Sequence, residues 1–187
     1  MDKVKVRFAF HSPKGERGIG KAIVALTWFY GLFYNWKVLK YNFSHEEIWL
    51  PDKDGNFTEV VNGKIKYLGK VFSSTTRGKA NGVRFANAQD VLGKHPQRWK
   101  YIEGLVDPER LEVALDEARL LVGRKYDFWG ILGFLNPFPI QHSKQYYCSE
   151  LCNWFRVLCG ISEREKRISP RRSAYKLAKV FGEPKPI

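Results

Sequence analysis

The three cysteines of the chain all fall in one stretch, Gln145–Gly160 (QYYCSELCNWFRVLCG). Cys148 stands where an aromatic, strand-like approach turns into a helical pattern. A thiol at a helix N-terminus lies among backbone N–H groups and at the positive end of the helix dipole, and this environment lowers a cysteine pKa. Cys148 is therefore the predicted nucleophile, of the kind that forms an acyl-enzyme with an amide or an ester.

A cysteine nucleophile needs a general base, and the chain offers four histidines: His11, His45, His95 and His142. The stretch Phe43–Leu50 (FSHEEIWL) alternates like a strand and puts His45, Glu47 and Trp49 on one face. A strand is a rigid mount, and a polar neighbour on the same face can orient the imidazole. We predict His45 as the base and Glu47 or another polar group as the residue that orients it. Backbone N–H groups at the helix start, including that of Cys148, are the predicted oxyanion site.

The other two cysteines, Cys152 and Cys159, are predicted to be buried packing residues on the same helix. The spacing C-x3-C-x6-C does not match a zinc pattern, so we expect no metal and no other cofactor. An odd number of closely spaced thiols does not favour a disulfide framework. Because the N-terminus also lacks the apolar core of a secretory signal, we expect reduced thiols in a cytoplasmic protein. The apolar run Ile19–Phe33 is too short for a good membrane span and carries Lys21.

The charge of the chain is strongly positive. Its 187 residues include 32 Lys+Arg against 19 Asp+Glu, which gives a formal net charge of +13. Such a charge favours anionic partners, namely nucleic acid, acidic lipid headgroups or an anionic glycan, and it fits a solvated basic surface equally well. It indicates no single partner, and the oligomeric state is left open.

The hydrophobic pattern predicts one α+β domain spanning residues 1–187, with an antiparallel sheet and no linker or repeat. The predicted strands are Val4–Phe10, Phe43–Leu50, one or two within Phe57–Phe72, Gly82–Phe85 and Trp99–Val106. The predicted helices are a buried one over Ile19–Phe33, one from Pro108 to Val122 with Asp107 as N-cap, a short one within Tyr126–Leu135 that Asn136–Pro139 ends, the Cys148 helix, and a last one from Ser169–Pro170 to Lys179.

Four stretches in order resemble the circularly permuted NlpC/P60 group of papain-like cysteine hydrolases, which includes the YiiX-like and YaeF-like permuted amidases. The stretches are FSHEEIWLP, FSSTTRGKANGVRF, VGRKYDFWGIL and YYCSELCNWF. In the permuted group the histidine strand precedes the cysteine helix, as it does here. The resemblance implies a papain-like fold, with Cys148 and His45 catalytic and Glu47 as the third polar residue. It also implies substrate-binding roles near the site for Tyr126 and Tyr147.

The substrates of this group suggest an amidase or peptidase that acts on cell-wall peptides in a phage or a bacterium. Without a signal peptide, such a protein would be released by a lysis or injection system, or its substrate would be intracellular. Two alternatives stay open at this stage. The same Cys–His pair can transfer an acyl group to or from a lipid. Alternatively, the chain is a basic module on a hydrolase scaffold that binds nucleic acid or a membrane surface, since Arg98–Tyr101 interleaves basic and aromatic residues.

Overall fold

The structure is a computed structural model that describes residues 2–13, 19–34, 36–76, 81–132, 145–165 and 168–187. Eight strands lie in these residues: β1 (Val4–His11), β2 (His45–Leu50), β3 (Thr58–Val61), β4 (Lys64–Tyr67), β5 (Lys70–Thr75), β6 (Gly82–Asn87), β7 (Trp99–Val106) and β8 (Lys185–Pro186). Six strands form an antiparallel sheet in the order β6-β5-β2-β1-β7-β8, and β3 pairs with β4 in a separate hairpin. The architecture is α+β, as the sequence predicts.

The described residues also form six α-helices: α1 (Ile19–Tyr34), α2 (Ala88–Leu92), α3 (Pro108–Leu121), α4 (Phe128–Leu132), α5 (Cys148–Leu158) and α6 (Pro170–Phe181). Two short 3-10 helices, Trp36–Lys40 and Pro96–Arg98, stand between other elements. The sequence pattern missed α2 and β8, and it left Trp36–Lys40 as a mixed connection. The predicted end of the α4 region at Asn136–Pro139 lies outside the described residues.

Several local predictions are confirmed at the level of single hydrogen bonds. The Asp107 side chain accepts from the backbone N–H groups of Glu109 and Arg110, and Pro108 opens α3. The Ser169 side chain accepts from the N–H of Arg172 at the start of α6. Short polar side chains at these positions satisfy donors that the helix itself cannot pair, so they fix where the helix begins.

One local prediction is wrong in part. Ile19–Tyr34 is a helix, but over residues 21–29, where the side chains are described, only part of it is buried. Ile23 packs inward, whereas the side chains of Trp28 and Phe29 are 46% and 52% exposed. An almost wholly apolar sequence is typical of a buried helix, and here one side of that helix faces solvent.

The two faces of the sheet carry different layers. Phe8, Ile48 and Phe72 point to the face that packs against α3, α5 and α6. On the opposite face Trp49 and Trp99 pack against α2 and the β3-β4 hairpin. Because side chains alternate along a strand, consecutive residues of β2 serve different layers of the molecule.

A buried ion pair ties α5 to the sheet. Arg156 of α5 contacts the Glu46 carboxyl group, and both side chains are almost completely buried. Burial raises the pKa of Glu46, and the positive charge of Arg156 acts in the opposite direction. The Cys152 thiol also lies 3.6 Å from the backbone oxygen of Glu46. These contacts fix the position of the cysteine helix relative to β2.

Removing one partner of this pair should destabilise the fold strongly, because it leaves the other ionisable group buried without a counter-charge. We expect Arg156→Met to lower the free energy of unfolding by about 3–5 kcal/mol. The measurement is urea unfolding at neutral pH.

Lys66→Met provides the matched control, since it breaks the exposed pair between Lys66 and Glu59, whose atoms lie 2.6 Å apart. That change should cost about 1 kcal/mol or less. Equal losses in the two variants would contradict the structural role of the buried pair.

Candidate active site

Cys148 is the first residue of α5, and its side chain is buried. The segment before it is held by main-chain contacts to the end of the α3–α4 connection. Tyr126 and Tyr146 form a parallel bridge, and the N–H of Asp127 donates to the Tyr146 oxygen at 3.1 Å. The chain therefore enters α5 in a fixed direction, and the turn from strand-like backbone to helix falls at the predicted nucleophile.

The start of α5 is a helix N-terminus, where backbone N–H groups and the helix dipole favour negative charge. The first backbone bond of the helix runs from the N–H of Leu151 to the oxygen of Tyr147. The earlier N–H groups of the helix point out of its N-terminus. Tyr147 at the N-cap position has an extended backbone and makes no side-chain capping bond. The end of α5 that bears Cys148 is thus suited to holding negative charge.

His45 and Glu47 are in direct contact. His45 is the first residue of β2, and its Nε2 lies 2.8 Å from Oε1 of Glu47. Both side chains are buried. Arg171 of α6 fixes the segment that leads into β2. Its guanidinium donates to the backbone oxygen of Tyr41 at 2.7 Å and to Oδ1 of Asn42 at 3.0 Å. The imidazole is therefore held at both the backbone and the ring.

Arg84 of β6 completes this arrangement. Its guanidinium donates to both carboxylate oxygens of Glu47, at 2.7 and 3.0 Å. Burial by itself raises the pKa of Glu47, but the charge of Arg84 and the hydrogen bond from His45 outweigh it and lower the pKa to about 2. An ionised carboxylate only accepts hydrogen bonds. In the neutral imidazole the proton is accordingly on Nε2, and the lone pair is on Nδ1.

A second histidine lies beside the first. His11, the last residue of β1, pairs with His45 across the two strands, so both rings lie on the same face. The Trp99 ring is 4.8 Å from the His11 ring and 6.3 Å from the His45 ring, edge-on to both. His11 is one of the four histidines that the sequence offered as a base, but its pattern did not predict this position beside His45. The sequence shows only that His11 follows the last residue of a predicted strand. The β1-β2 register, which the sequence does not reveal, is what brings it next to His45.

Cys148 and His45 approach one end of the sheet from different layers. Cys152 contacts the backbone of Glu46, the neighbour of His45, and Cys148 lies one helical turn closer to the start of α5. The helix packs on the face of Glu46, whereas His45 and Glu47 point to the other face with Trp49. The contact between α5 and this part of β2 is thus made by Cys152 on the backbone of Glu46, the residue next to His45.

The remaining candidates occupy different environments. Tyr126 and Tyr147 are buried in a small cluster with Ile23 and Ile131, and burial raises the pKa of Tyr147 strongly. Cys152 and Cys159 are free thiols in the main core, as predicted, and burial raises the pKa of both, that of Cys159 to about 12. His95 is exposed, next to the 3-10 helix at Pro96, and His142 lies outside the described residues. Within the described ranges, no group of three or more His, Cys, Asp or Glu could hold a metal ion.

Comparison with known proteins returned no match. No protein-family model, no curated protein and no solved structure matches the chain. Family membership is therefore a matter for proposal, and it rests on the ordered motifs and on the arrangement of Cys148, His45 and Glu47.

The low pKa of Glu47 should make stability depend on acid pH. A carboxyl group whose pKa falls from about 4.5 to about 2 on folding stabilises the protein above pH 4.5, and this contribution is lost as the pH falls through 2. A difference of this size corresponds to about 3 kcal/mol. Between about pH 6 and pH 2.5, urea unfolding should show wild type losing roughly 2 kcal/mol more stability than Glu47→Gln.

Glu59→Gln on the exposed hairpin is the control, and it should keep the wild-type dependence on pH. If Glu47→Gln follows the wild-type curve as well, Glu47 is not the buried, ionised partner of Arg84 and His45.

Proposed function

We propose that this protein is a cysteine hydrolase of the permuted NlpC/P60 type, which cleaves an amide bond through an acyl-enzyme on Cys148. The observation that carries the proposal is the buried chain of contacts from Arg84 through Glu47 to His45, at the end of the sheet where the cysteine helix begins. A base whose proton and ring plane are fixed by a carboxylate is the arrangement that thiol and serine hydrolases use.

In the proposed reaction, Nδ1 of His45 takes the proton of the Cys148 thiol as Sγ attacks the substrate carbonyl carbon. The oxygen of the tetrahedral intermediate becomes negative and is held by N–H groups at the start of α5. His45 then gives its proton to the leaving nitrogen, the C–N bond breaks, and a thioester remains on Cys148. His45 next removes a proton from water, the water oxygen attacks the thioester, and the thiolate leaves and is reprotonated.

Glu47 stays ionised throughout this sequence. Its role is to keep the Nε2 proton of His45 in place and to stabilise the imidazolium that forms when Nδ1 takes the thiol proton. Arg84 holds Glu47 in position and keeps the carboxylate charged inside the protein. The substrate class that the resemblance suggests is the peptide stem of a cell-wall glycan, and the positive net charge of the chain favours an anionic polymer.

Alkylation of Cys148 by iodoacetamide tests the nucleophile and its base. We expect wild type at neutral pH to be labelled at Cys148 much faster than at Cys152 or Cys159, whose pKa values are raised by burial. His45→Ala should slow labelling of Cys148 on the order of 100-fold, which is the scale of a general-base contribution. Peptide mapping by mass spectrometry after timed labelling gives the three rates.

His95→Ala is the matched control, because His95 is exposed and outside this site, and it should leave the rate unchanged. Release of free amine from cell-wall peptides should then occur with wild type and be absent with Cys148→Ser. Slow labelling of Cys148 that is indifferent to His45→Ala, together with salt-dependent nucleic-acid binding by Cys148→Ser, would instead favour the basic binding module.

A further inference from the structure

The outward side of α1 exposes apolar side chains that the sequence pattern predicts to be buried. Lys21, Ala25 and Trp28 are spaced i, i+4 and i+7, so they form one stripe, and Ala22 and Phe29 form a parallel stripe beside it. All five side chains are exposed. The inward side is marked by Ile23 and Thr27, which are 7% and 2% exposed. The helix thus presents a mainly apolar face to solvent.

The following 3-10 helix extends this surface. It begins at Trp36, whose side chain is 71% exposed, and it packs against α1. Two indoles and a phenyl ring are therefore exposed within nine residues of one another. Large exposed aromatic side chains on two neighbouring elements are typical of a binding site for a protein or a membrane. The name α1 surface is used below for these exposed side chains: Lys21, Ala22, Ala25, Trp28, Phe29, Trp36 and Lys37.

The charged residues within α1 and the 3-10 helix that follows it are all positive. Residues 19–40 contain Lys21, Lys37 and Lys40 and no aspartate or glutamate. Lys40 is paired with Glu183 at 2.6 Å, and the side chains of Lys21 and Lys37 are exposed. The whole chain carries a net charge of +13. A partner that covers this surface must accept indole rings and supply negative charge beside them.

An anionic bilayer meets both requirements. Tryptophan side chains favour the headgroup level of a bilayer, where the ring is buried and the N–H stays hydrated, and flanking lysines contact acidic headgroups. None of the helices in the described parts of the chain is long and apolar enough to cross a membrane. We propose that the α1 surface docks the protein in the plane of an anionic lipid membrane, with Trp28, Phe29 and Trp36 inserted at the headgroup level.

The docked helix would lie against the segment that carries the predicted nucleophile. Ile23 on the inner side of α1 packs in one cluster with Tyr147, the residue before Cys148. Membrane docking stands independently of the hydrolase proposal, because it rests on exposure and charge and uses neither Cys148 nor His45. The two proposals can therefore fail separately.

Flotation with lipid vesicles tests the docking. Wild type should float with phosphatidylcholine vesicles that contain about 30% phosphatidylserine, and it should stay in the aqueous fraction with phosphatidylcholine alone. Trp28→Ser/Trp36→Ser should weaken binding by roughly tenfold or more, because most of the inserted apolar area is lost. Lys21→Glu and Lys37→Glu should each weaken it about fivefold or more, and added salt should reduce wild-type binding.

Leu120→Ser and Lys64→Glu are matched controls on other exposed surfaces, and both should bind like wild type. Cys148→Ser should also bind like wild type, whatever its effect on hydrolysis. The proposal is overturned if wild type fails to bind the anionic vesicles, or if the control variants lose as much binding as the α1 variants. It is equally overturned if the double tryptophan variant only dissolves a dimer or only loses nucleic-acid binding.

Discussion

Two consecutive buried carboxyl groups on β2 fix the arrangement of the sheet and the cysteine helix. Each carboxyl group is paired with its own arginine, one from α5 and one from β6. Glu46 points to the helical face and contacts Arg156 of α5, whereas Glu47 points to the opposite face and binds Arg84 of β6. Burying an ionisable group is costly unless a counter-charge and hydrogen bonds accompany it. The strand that carries His45 is therefore fixed on both of its faces. Removing either arginine would leave a buried carboxyl group without its counter-charge.

These two pairs account for the candidate site. The Glu46–Arg156 pair on the helical face fixes the position of α5 relative to β2. It thereby also fixes the position of Cys148 at the helix start. The pair on the opposite face fixes the protonated nitrogen of His45, since Glu47 remains ionised beside Arg84 and accepts a hydrogen bond from Nε2–H. Cys148 and His45, the proposed nucleophile and base, are thus positioned by separate interactions.

Most helices and strands of this fold could be predicted because they depend on residues that are close together in the sequence. Alternation identified β1 and β2, and Asp107 and Ser169 marked the starts of α3 and α6 through capping bonds that involve near neighbours in sequence. The site depends on long-range partners instead. Arg84 is 37 residues from Glu47, and Arg156 is 110 residues from Glu46, so nothing in the local pattern of either arginine announces its role. The exposure of α1 was missed for the same reason, because hydrophobicity does not show which side of a helix lacks a neighbour.

The central claim is that the Cys148 thiol and the His45 imidazole meet around the first residue of β2. A crystal structure of the protein alkylated at Cys148 tests this claim most directly, because the adduct mimics the acyl-enzyme. The account predicts Sγ within about 4 Å of Nδ1 of His45, with the adduct carbonyl directed at the N–H groups of the α5 start. An adduct on the helical face, separated from the imidazole by β2, would contradict it.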